Sequence, residues 1–217
     1  MSEIEFITAE VCPYAQRTHL ALREKGLAYK HTEVDLANKP AWFEKVSPYS
    51  KVPVLKVGDE VIYESAIINE YIEEAYPEPA LMPSDPVRRA QARAWIDFCN
   101  TRLVGAFYAV LSAKDAAARA EAGDTLTGHF RTMEDGMTRL GADPYWLGDT
   151  VSLVDVAFYP HFERLGALTH YRGIDVPDDC PRIAAWRTAM RERPSVKATE
   201  HGLDYYIDSY KRYADAA

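Results

Sequence analysis

The segment of the sequence that most clearly suggests a reactive side chain is Cys12-Pro13-Tyr14-Ala15. Cys12 stands at the predicted end of a strand, one residue before a proline of the kind that favours the first position of a helix. A thiol placed there faces the N–H groups and the positive dipole end of the helix, and both favour the thiolate. We therefore expect Cys12 to be a catalytic nucleophile. The structural alternative is that it is a small buried apolar side chain, as many cysteines are.

The residue at position 15 decides which kind of thiol chemistry is expected. A dithiol oxidoreductase of the Cys-X-X-Cys type would carry its second cysteine there, and this chain has Ala15. Cys12 then acts as a monothiol, and an outside thiol must release whatever disulfide it forms. Glutathione, the abundant cytosolic thiol, is the expected co-substrate.

Glutathione is a short extended peptide with an ammonium group and two carboxylates, and the sequence contains a partner for each part. Val52 precedes Pro53, and an X–Pro bond, which can be cis, would leave the Val52 backbone available for pairing with a peptide. Glu64 can hold the ammonium, the helix beginning at Ser65 can hold a carboxylate, and Lys39 can hold the other as a point charge. Taken singly, each is more often an ordinary turn, a helix cap or a surface charge, and it is their joint presence in this order that favours a glutathione site.

The pattern of secondary structure changes near residue 80. Strand patterns alternate with helical ones before it, in the order βαβαββα, which predicts an α/β domain. The predicted strands are Ile4–Thr8, Tyr29–Asp35, Val52–Val57 and Glu60–Tyr63, and the predicted helices are Pro13 to near Gly26, a short one at Trp42-Phe43, and Ser65–Ala75. The prolines that follow predict an extended linker. We assign residues 1–79 to the first domain, 80–86 to the linker and 87–217 to the second domain.

The second domain is predicted to be all helical. Its first two helices run from about Val87 to Ser112 and from about Ala116 to Leu140. Ser152 and Asp155 have the spacing of a capping box, so they are assigned a structural role at the start of a further helix, as is Pro53 at its turn. Two more helical patterns, around Trp186 and around Tyr206, complete the chain.

Composition excludes several classes of function. The chain has 25 basic and 33 acidic residues, a formal net charge of −8, so binding to nucleic acid is not expected. Its longest uncharged stretch, Leu103–Ala113, is far shorter than the about 20 apolar residues of a membrane helix. Its acidic start lacks a secretory signal, its three scattered cysteines suggest a reducing compartment, and its histidines lack metal-ligand spacing. We expect a cytoplasmic protein with no metal.

Several motifs together resemble the omega class of glutathione transferases, and the plant lambda class is the near neighbour. They are Cys12-Pro13-Tyr14-Ala15-Gln16-Arg17, Asn38-Lys39-Pro40-Ala41-Trp42-Phe43, Lys51-Val52-Pro53-Val54-Leu55, Tyr63-Glu64-Ser65-Ala66-Ile67 and Pro160-His161-Phe162-Glu163-Arg164-Leu165. The resemblance implies the glutathione-transferase fold, a thioredoxin-like domain followed by an all-helical one. It also implies a catalytic cysteine in place of the Tyr or Ser of other classes.

The resemblance further implies roles for the individual site residues. Cys12 forms a mixed disulfide with glutathione, and the Val52 backbone, before a cis proline, pairs with the cysteinyl part. Glu64 and Ser65 hold the γ-glutamyl end. The remaining implied glutathione contacts are Lys39, by the glycine carboxylate, and Tyr14, which lines the pocket. For the acceptor pocket the sequence offers only Tyr108, Tyr159 and His161, although aromatic residues at helical spacing usually serve packing.

The predicted function is a glutathione-dependent thiol transferase and reductase. Its acceptor is a small hydrophobic or redox-active compound, such as dehydroascorbate, a mixed disulfide or a glutathione thioether. Two alternatives stay open: a conventional glutathione-conjugating transferase, and a non-enzymatic ligand-binding or scaffold member of the fold. Omega members are usually dimers and lambda members monomers, so a homodimer is the expectation that follows the omega resemblance.

Overall fold

A computed structural model of the chain describes residues 3–141 and 143–215. These residues divide into two compact units, the first ending at Leu81 and the second beginning at Met82. No helix within the described ranges is long and apolar enough to cross a membrane.

The first unit is built on a four-stranded mixed sheet. Its strands are β1 (Ile4–Thr8), β2 (Lys30–Glu33), β3 (Val54–Val57) and β4 (Glu60–Tyr63), and their order across the sheet is β2-β1-β3-β4. Strand β1 is parallel to β2 and antiparallel to β3, and β3 and β4 form an antiparallel hairpin around Gly58, whose φ of +62° suits glycine. The predicted α/β order βαβαββα is confirmed.

Three helices complete the first unit. They are α1 (Pro13–Glu24), α2 (Phe43–Val46) and α3 (Ser65–Ala75). Helices α1 and α3 pack against each other, and their buried faces join the sheet in one apolar core. Its fully buried side chains include Phe6, Leu20, Leu55, Ile68 and Ile72.

Two strands are shorter than their sequence patterns predicted: β2 spans Lys30–Glu33 where Tyr29–Asp35 was predicted, and β3 begins late. The pattern Val52–Val57 predicted a strand from Val52, whereas pairing with β1 starts at Val54, opposite Ile7. Pro53 has no N–H to donate to a ladder, so it does not continue the strand. Val52 therefore lies outside the sheet, where its backbone can meet another group.

Among the described residues of the second unit, helices joined by loops are the regular elements, with one isolated β-bridge between Tyr145 and Gly148. Its helices are α4 (Pro86–Phe98), α5 (Val104–Leu111), α6 (Ala116–Leu140), α7 (Leu153–Glu163), α8 (Leu165–Arg172), α9 (Pro181–Arg191), α10 (Pro194–Lys197) and α11 (Leu203–Asp215). The prediction of one continuous helix from Val87 to Ser112 was wrong in detail, because a π-helical turn at Cys99–Leu103 separates α4 from α5. Such turns leave no mark in hydrophobic periodicity, since both flanking segments stay helical.

Helix α7 begins with the predicted capping box. The Asp155 carboxylate accepts hydrogen bonds from the backbone N–H of Ser152 at 2.7 Å and from its hydroxyl at 2.6 Å. Asp155 is fully buried and also accepts the backbone N–H of Trp146 and the indole N–H of Trp186, both at 2.8 Å. The box thus joins α7 to the loop before it and to α9.

Candidate functional site

Cys12 lies where β1 gives way to α1. It is the N-cap of α1, with extended φ and ψ of −81° and 115°, and Pro13 takes the first helical position. Its backbone N–H donates to Ala9 and its carbonyl accepts from Gln16, so the residue belongs both to the tight β1–α1 loop and to the first helical turn. The half-buried thiol therefore sits at a helix N-terminus, as predicted, where backbone N–H groups and the helix dipole favour negative charge.

The sheet register brings three site segments to one end of the sheet. Ile7 of β1 pairs with Val54 of β3, which pairs with Tyr63 of β4. The chain leaves β1 at this end toward Cys12, enters β3 here from Val52, and leaves β4 here into Glu64. These residues are up to 52 positions apart in sequence, and antiparallel pairing alone collects them.

The contact between Cys12 and Val52 is the centre of the site. The Cys12 thiol donates to the Val52 carbonyl, with a sulfur-to-oxygen distance of 3.7 Å. The Val52–Pro53 peptide bond is cis, as the resemblance implies, and Val52 lies before the first residue of β3 that pairs with β1. A peptide that pairs with the Val52 backbone would therefore place its own side chain beside the sulfur.

Lys39 is tied to the loop that leads into Val52. Its Nζ donates to the Ser50 carbonyl at 2.8 Å and contacts the Ser50 hydroxyl at 3.2 Å. An ammonium group has three N–H donors, so one remains for a ligand carboxylate. The exposed position of Lys39 suits the far end of a bound tripeptide.

Glu64 has an unusual backbone conformation. Its φ of +69° lies in the left-handed region, which a side chain other than glycine adopts at a cost of roughly 1 kcal/mol or more. Glu64 is exposed and is the N-cap of α3, and its carbonyl accepts the N–H of Ile68. Ser65, the first helical residue, is buried. Residues held in this way often occur at binding sites, which fits the predicted pair Glu64 and Ser65.

Tyr14 is held by a neighbouring cation. The guanidinium carbon of buried Arg17 lies 4.8 Å from the centre of the Tyr14 ring, a cation–π arrangement within α1. The half-buried ring belongs to the same helical turn as Cys12, consistent with its predicted place beside the thiol.

Two positioning residues escaped the sequence reasoning. Glu33, at the end of β2, accepts the backbone N–H of Glu10 at 2.7 Å and so holds the loop that carries Cys12. Ser47, at the end of α2, binds the backbone of Lys51. The side chains of Glu33 and Ser47 belong to none of the motifs, and each binds a backbone group beside Cys12 or Val52, so no side-chain pattern indicated them.

The predicted acceptor residues lie at different depths in the second unit. Tyr159 and His161 are only 2% and 3% exposed, and Tyr159 packs edge-on against Trp186. Tyr108 is half-buried and stacks on Tyr210, with their hydroxyl oxygens 3.3 Å apart. Burial raises the pKa of both Tyr108 and Tyr159, so their phenols stay protonated at neutral pH. Tyr108 thus has the most accessible surface of the three for an acceptor.

The other two cysteines have very different surroundings from Cys12. Cys99 and Cys180 are both buried, and Cys99 donates to the carbonyl of Ala157. Burial, together with the negative charges of Asp179 and Glu134, raises the pKa of Cys180 to about 11. Cys180 is therefore held as an unreactive thiol although it also precedes a helix-starting proline.

Comparison with known proteins gives the family. Residues 11–75 match the family model described as "Glutathione S-transferase, N-terminal domain", and residues 116–189 match "Glutathione S-transferase, C-terminal domain". The chain is 33% identical to glutathione S-transferase omega-1 of Sus scrofa over 196 residues, which cover 90% of this chain and 79% of that protein.

Solved structures give the same result. Glutathione transferase Omega 3C from Trametes versicolor matches with a TM-score of 0.89 and 30% identity, over 99% of this chain and 91% of that one. Dehydroascorbate reductase from Chlamydomonas reinhardtii matches with a TM-score of 0.82 and 26% identity, over 97% and 98% of the two chains. With a transferase domain in each half and omega-class relatives over most of its length, the chain belongs to the glutathione S-transferase family as an omega-like glutathione transferase, an enzyme that uses glutathione.

Proposed function

We propose that this enzyme is a glutathione-dependent thiol transferase and reductase that works through the thiolate of Cys12. The observation that carries the proposal is the thiol at the N-terminus of α1, in contact with the Val52 carbonyl and with alanine at position 15. The relatives that are named omega-class transferases and dehydroascorbate reductase support the same chemistry.

The reaction on a mixed disulfide has two thiol–disulfide exchanges. In the first, the Cys12 thiolate attacks the glutathionyl sulfur of the substrate, a bond from Cys12 to glutathione forms, and the substrate leaves as a thiolate that takes up a proton. In the second, a glutathione thiolate attacks the glutathionyl sulfur on Cys12, oxidised glutathione forms, and Cys12 leaves as a thiolate. When the acceptor is dehydroascorbate, two molecules of glutathione supply two electrons and two protons and become oxidised glutathione. A glutathione thioether is cleaved by the same pair of attacks: the Cys12 thiolate takes the glutathionyl sulfur, and the carbon group leaves with the electron pair of the C–S bond and takes up a proton.

The other predicted residues bind the glutathionyl group. The Val52 backbone pairs with its cysteinyl part, and Glu64 and Ser65 hold its γ-glutamyl end at the start of α3. The remaining donor of Lys39 takes the glycine carboxylate, and Tyr14 covers the sulfur. Tyr108, with its accessible surface, contacts the acceptor, whereas Tyr159 and His161 support it from the interior of their unit.

The decisive experiment compares the wild-type enzyme with Cys12→Ser. We expect glutathione-dependent reduction of hydroxyethyl disulfide to fall at least about 100-fold in Cys12→Ser, because a neutral hydroxyl cannot form the mixed disulfide. Cys180→Ser, which changes a buried thiol, is the matched control and should keep the activity. Mass spectrometry after incubation with oxidised glutathione should find the adduct on the Cys12 peptide alone. Retention of the reductase activity by Cys12→Ser would refute the mechanism.

The same variant tests the conjugating alternative. A conjugating transferase only activates glutathione, so a serine at position 12 should keep or raise the conjugation of an aryl halide. If the wild-type enzyme conjugates efficiently and forms no adduct, the conjugating activity is the main one.

The assembly and the location of the enzyme are inferred from its class and from its cysteines. We propose a homodimer, which follows the omega-like class, and a cytoplasmic location, which the three widely spaced cysteines of the sequence favour. Analytical ultracentrifugation at micromolar concentration should give a mass near twice 24.5 kDa, and a value near 24.5 kDa would reject the dimer.

A further inference from the structure

The turn that leads into Val52 is closed by one hydroxyl group. The Ser47 hydroxyl accepts the backbone N–H of Lys51 at 2.8 Å and donates to the carbonyl of the same residue at 2.7 Å. The Ser47 carbonyl accepts the N–H of Ser50 at 2.9 Å, which completes a four-residue turn. Both backbone groups of the residue directly before Val52 are thereby fixed by a single side chain.

Ser47 is itself anchored in the core of the first unit. It is the C-cap of α2, and its backbone N–H donates to the carbonyl of Phe43 at 2.9 Å. Phe43 is fully buried and Ser47 is only 3% exposed. Ser47 therefore connects the buried Phe43 to the backbone of Lys51, the residue directly before Val52.

The other side-chain tie on this turn is of a different kind. Lys39 reaches Ser50 from an exposed position, where water can replace its ammonium group at little cost. The Ser47 hydroxyl is shielded from water in the folded turn, so its loss removes a geometric constraint that solvent does not restore in the same place.

We propose that Ser47 is a positioning residue, which orders the turn so that the Val52 backbone is ready to pair with glutathione. This inference rests on the proposed function of the Val52 backbone. Without the hydroxyl, the N–H and carbonyl of exposed Lys51 turn to water and the turn samples more conformations. A ligand that pairs with Val52 must then order the turn on binding, which weakens its affinity. Once the glutathionyl group is bound, the thiol–disulfide exchange at Cys12 proceeds at nearly the rate of the wild-type enzyme.

The test measures binding and turnover separately in Ser47→Ala and Ser47→Thr. We expect Ser47→Ala to bind S-methylglutathione about tenfold more weakly by calorimetry, the worth of one to two net hydrogen bonds. KM for the glutathionyl–hydroxyethyl mixed disulfide should rise by a similar factor, with kcat within about twofold of the wild type. Ser47→Thr keeps the hydroxyl and should restore both values. Ser195→Ala, an equally buried serine of the second unit, is the control and should bind normally.

The outcomes separate this inference from the proposed function. Ser47 does not position the ligand site if Ser47→Ala binds S-methylglutathione as tightly as the wild type does. The same conclusion follows if kcat of Ser47→Ala falls by as large a factor as its KM rises. If Ser47→Ala does not fold, Ser47→Cys fills the same space with a weak hydrogen-bonding group and must show the same loss of affinity. A wild-type enzyme that turns over mixed disulfides while binding no S-methylglutathione overturns the inference alone. A wild-type enzyme that does neither overturns the proposed function, and the inference with it.

Discussion

Replacement of Asp155 is the sharpest test of what holds the second unit together. Its carboxylate is fully buried, no cation among the described residues pairs with it in a salt bridge, and four donors converge on it. They are the backbone N–H and hydroxyl of Ser152, the backbone N–H of Trp146 and the indole N–H of Trp186. Burial raises the pKa of Asp155 despite these bonds, so the charged form carries a desolvation penalty.

The cost of Asp155→Ala follows from the donors it leaves behind. Three buried N–H groups lose their acceptor at about 1–3 kcal/mol each, and α7 loses a cap worth about 1 kcal/mol. The substitution also removes the desolvation penalty of the buried carboxylate, which offsets part of these losses. The net decrease in the free energy of unfolding is then about 4 kcal/mol. For a chain of this size each kcal/mol lowers Tm by about 2–4 °C, so Tm should fall by about 8–16 °C. Asp155→Asn keeps one acceptor and carries no charge, and should lose about half as much.

Two aspartates at other helix starts are matched controls. Asp85 and Asp115 cap α4 and α6, and each accepts one backbone N–H at 2.8 Å in an exposed position. Asp85→Ala and Asp115→Ala should each cost about 1 kcal/mol, the ordinary value of a cap. Urea unfolding followed by tryptophan fluorescence measures all of them, because Trp146 and Trp186 report on this unit. An Asp155→Ala loss no larger than that of the two controls would show that the buried donors find other partners, and the reasoning would fail.

Two further predictions concern proton binding and thiol reactivity. Burial, followed by the charge of Arg23, lowers the pKa of His19 to about 4, so between pH 4 and its ordinary 6.5 the unfolded chain binds more protons. Lowering the pH through this window should therefore cost about 1–2 kcal/mol of stability, allowing for the partial exposure of the ring, and His19→Leu should remove that slope in urea titrations at several pH values. Iodoacetamide should label Cys12 in the native enzyme and reach the buried Cys99 and Cys180 only after unfolding, as peptide mass spectrometry would show. Equal labelling of Cys180 and Cys12 in the native enzyme would contradict the predicted selectivity for Cys12.

Elements with chemically marked ends were predicted most accurately from the sequence. Helix α1 is bounded by Pro13 and Gly26, and the β3–β4 hairpin by its Gly58-Asp59 turn, so local rules fix both. The start of β3 and the π-helical turn at Cys99–Leu103 were missed. The first follows from the missing N–H of Pro53 and the second from a local change in the hydrogen bonding of one helix, and a periodicity of apolar residues contains neither.

In the candidate site, too, some residues are marked by local sequence signals and others are identified only by the fold. Although the contact of Cys12 with Val52 depends on the pairing of β1 with β3, the strand end at Cys12 and the proline-marked turn at Val52 are local signals and were predictable. Ser47 and Glu33 were not, since each binds a backbone group whose position only the folded loop defines. For an aromatic residue such as Tyr159, the sequence indicates that it faces inward and says nothing about how deep it lies.

Under the proposed function, the monothiol chemistry of Cys12 also determines the side from which the second glutathione approaches. In thiol–disulfide exchange the attacking, central and leaving sulfurs pass through one mixed-disulfide arrangement, close to a line. With the glutathionyl group on Cys12 and paired to the Val52 backbone, the Cys12 sulfur is the leaving group, so the second thiolate must arrive from the far side of the glutathionyl sulfur. The contacts of Val52, Glu64 and Lys39 are then already occupied by the first glutathione. Under the proposed function, variants of these residues should therefore alter KM for the mixed disulfide more than KM for the resolving glutathione.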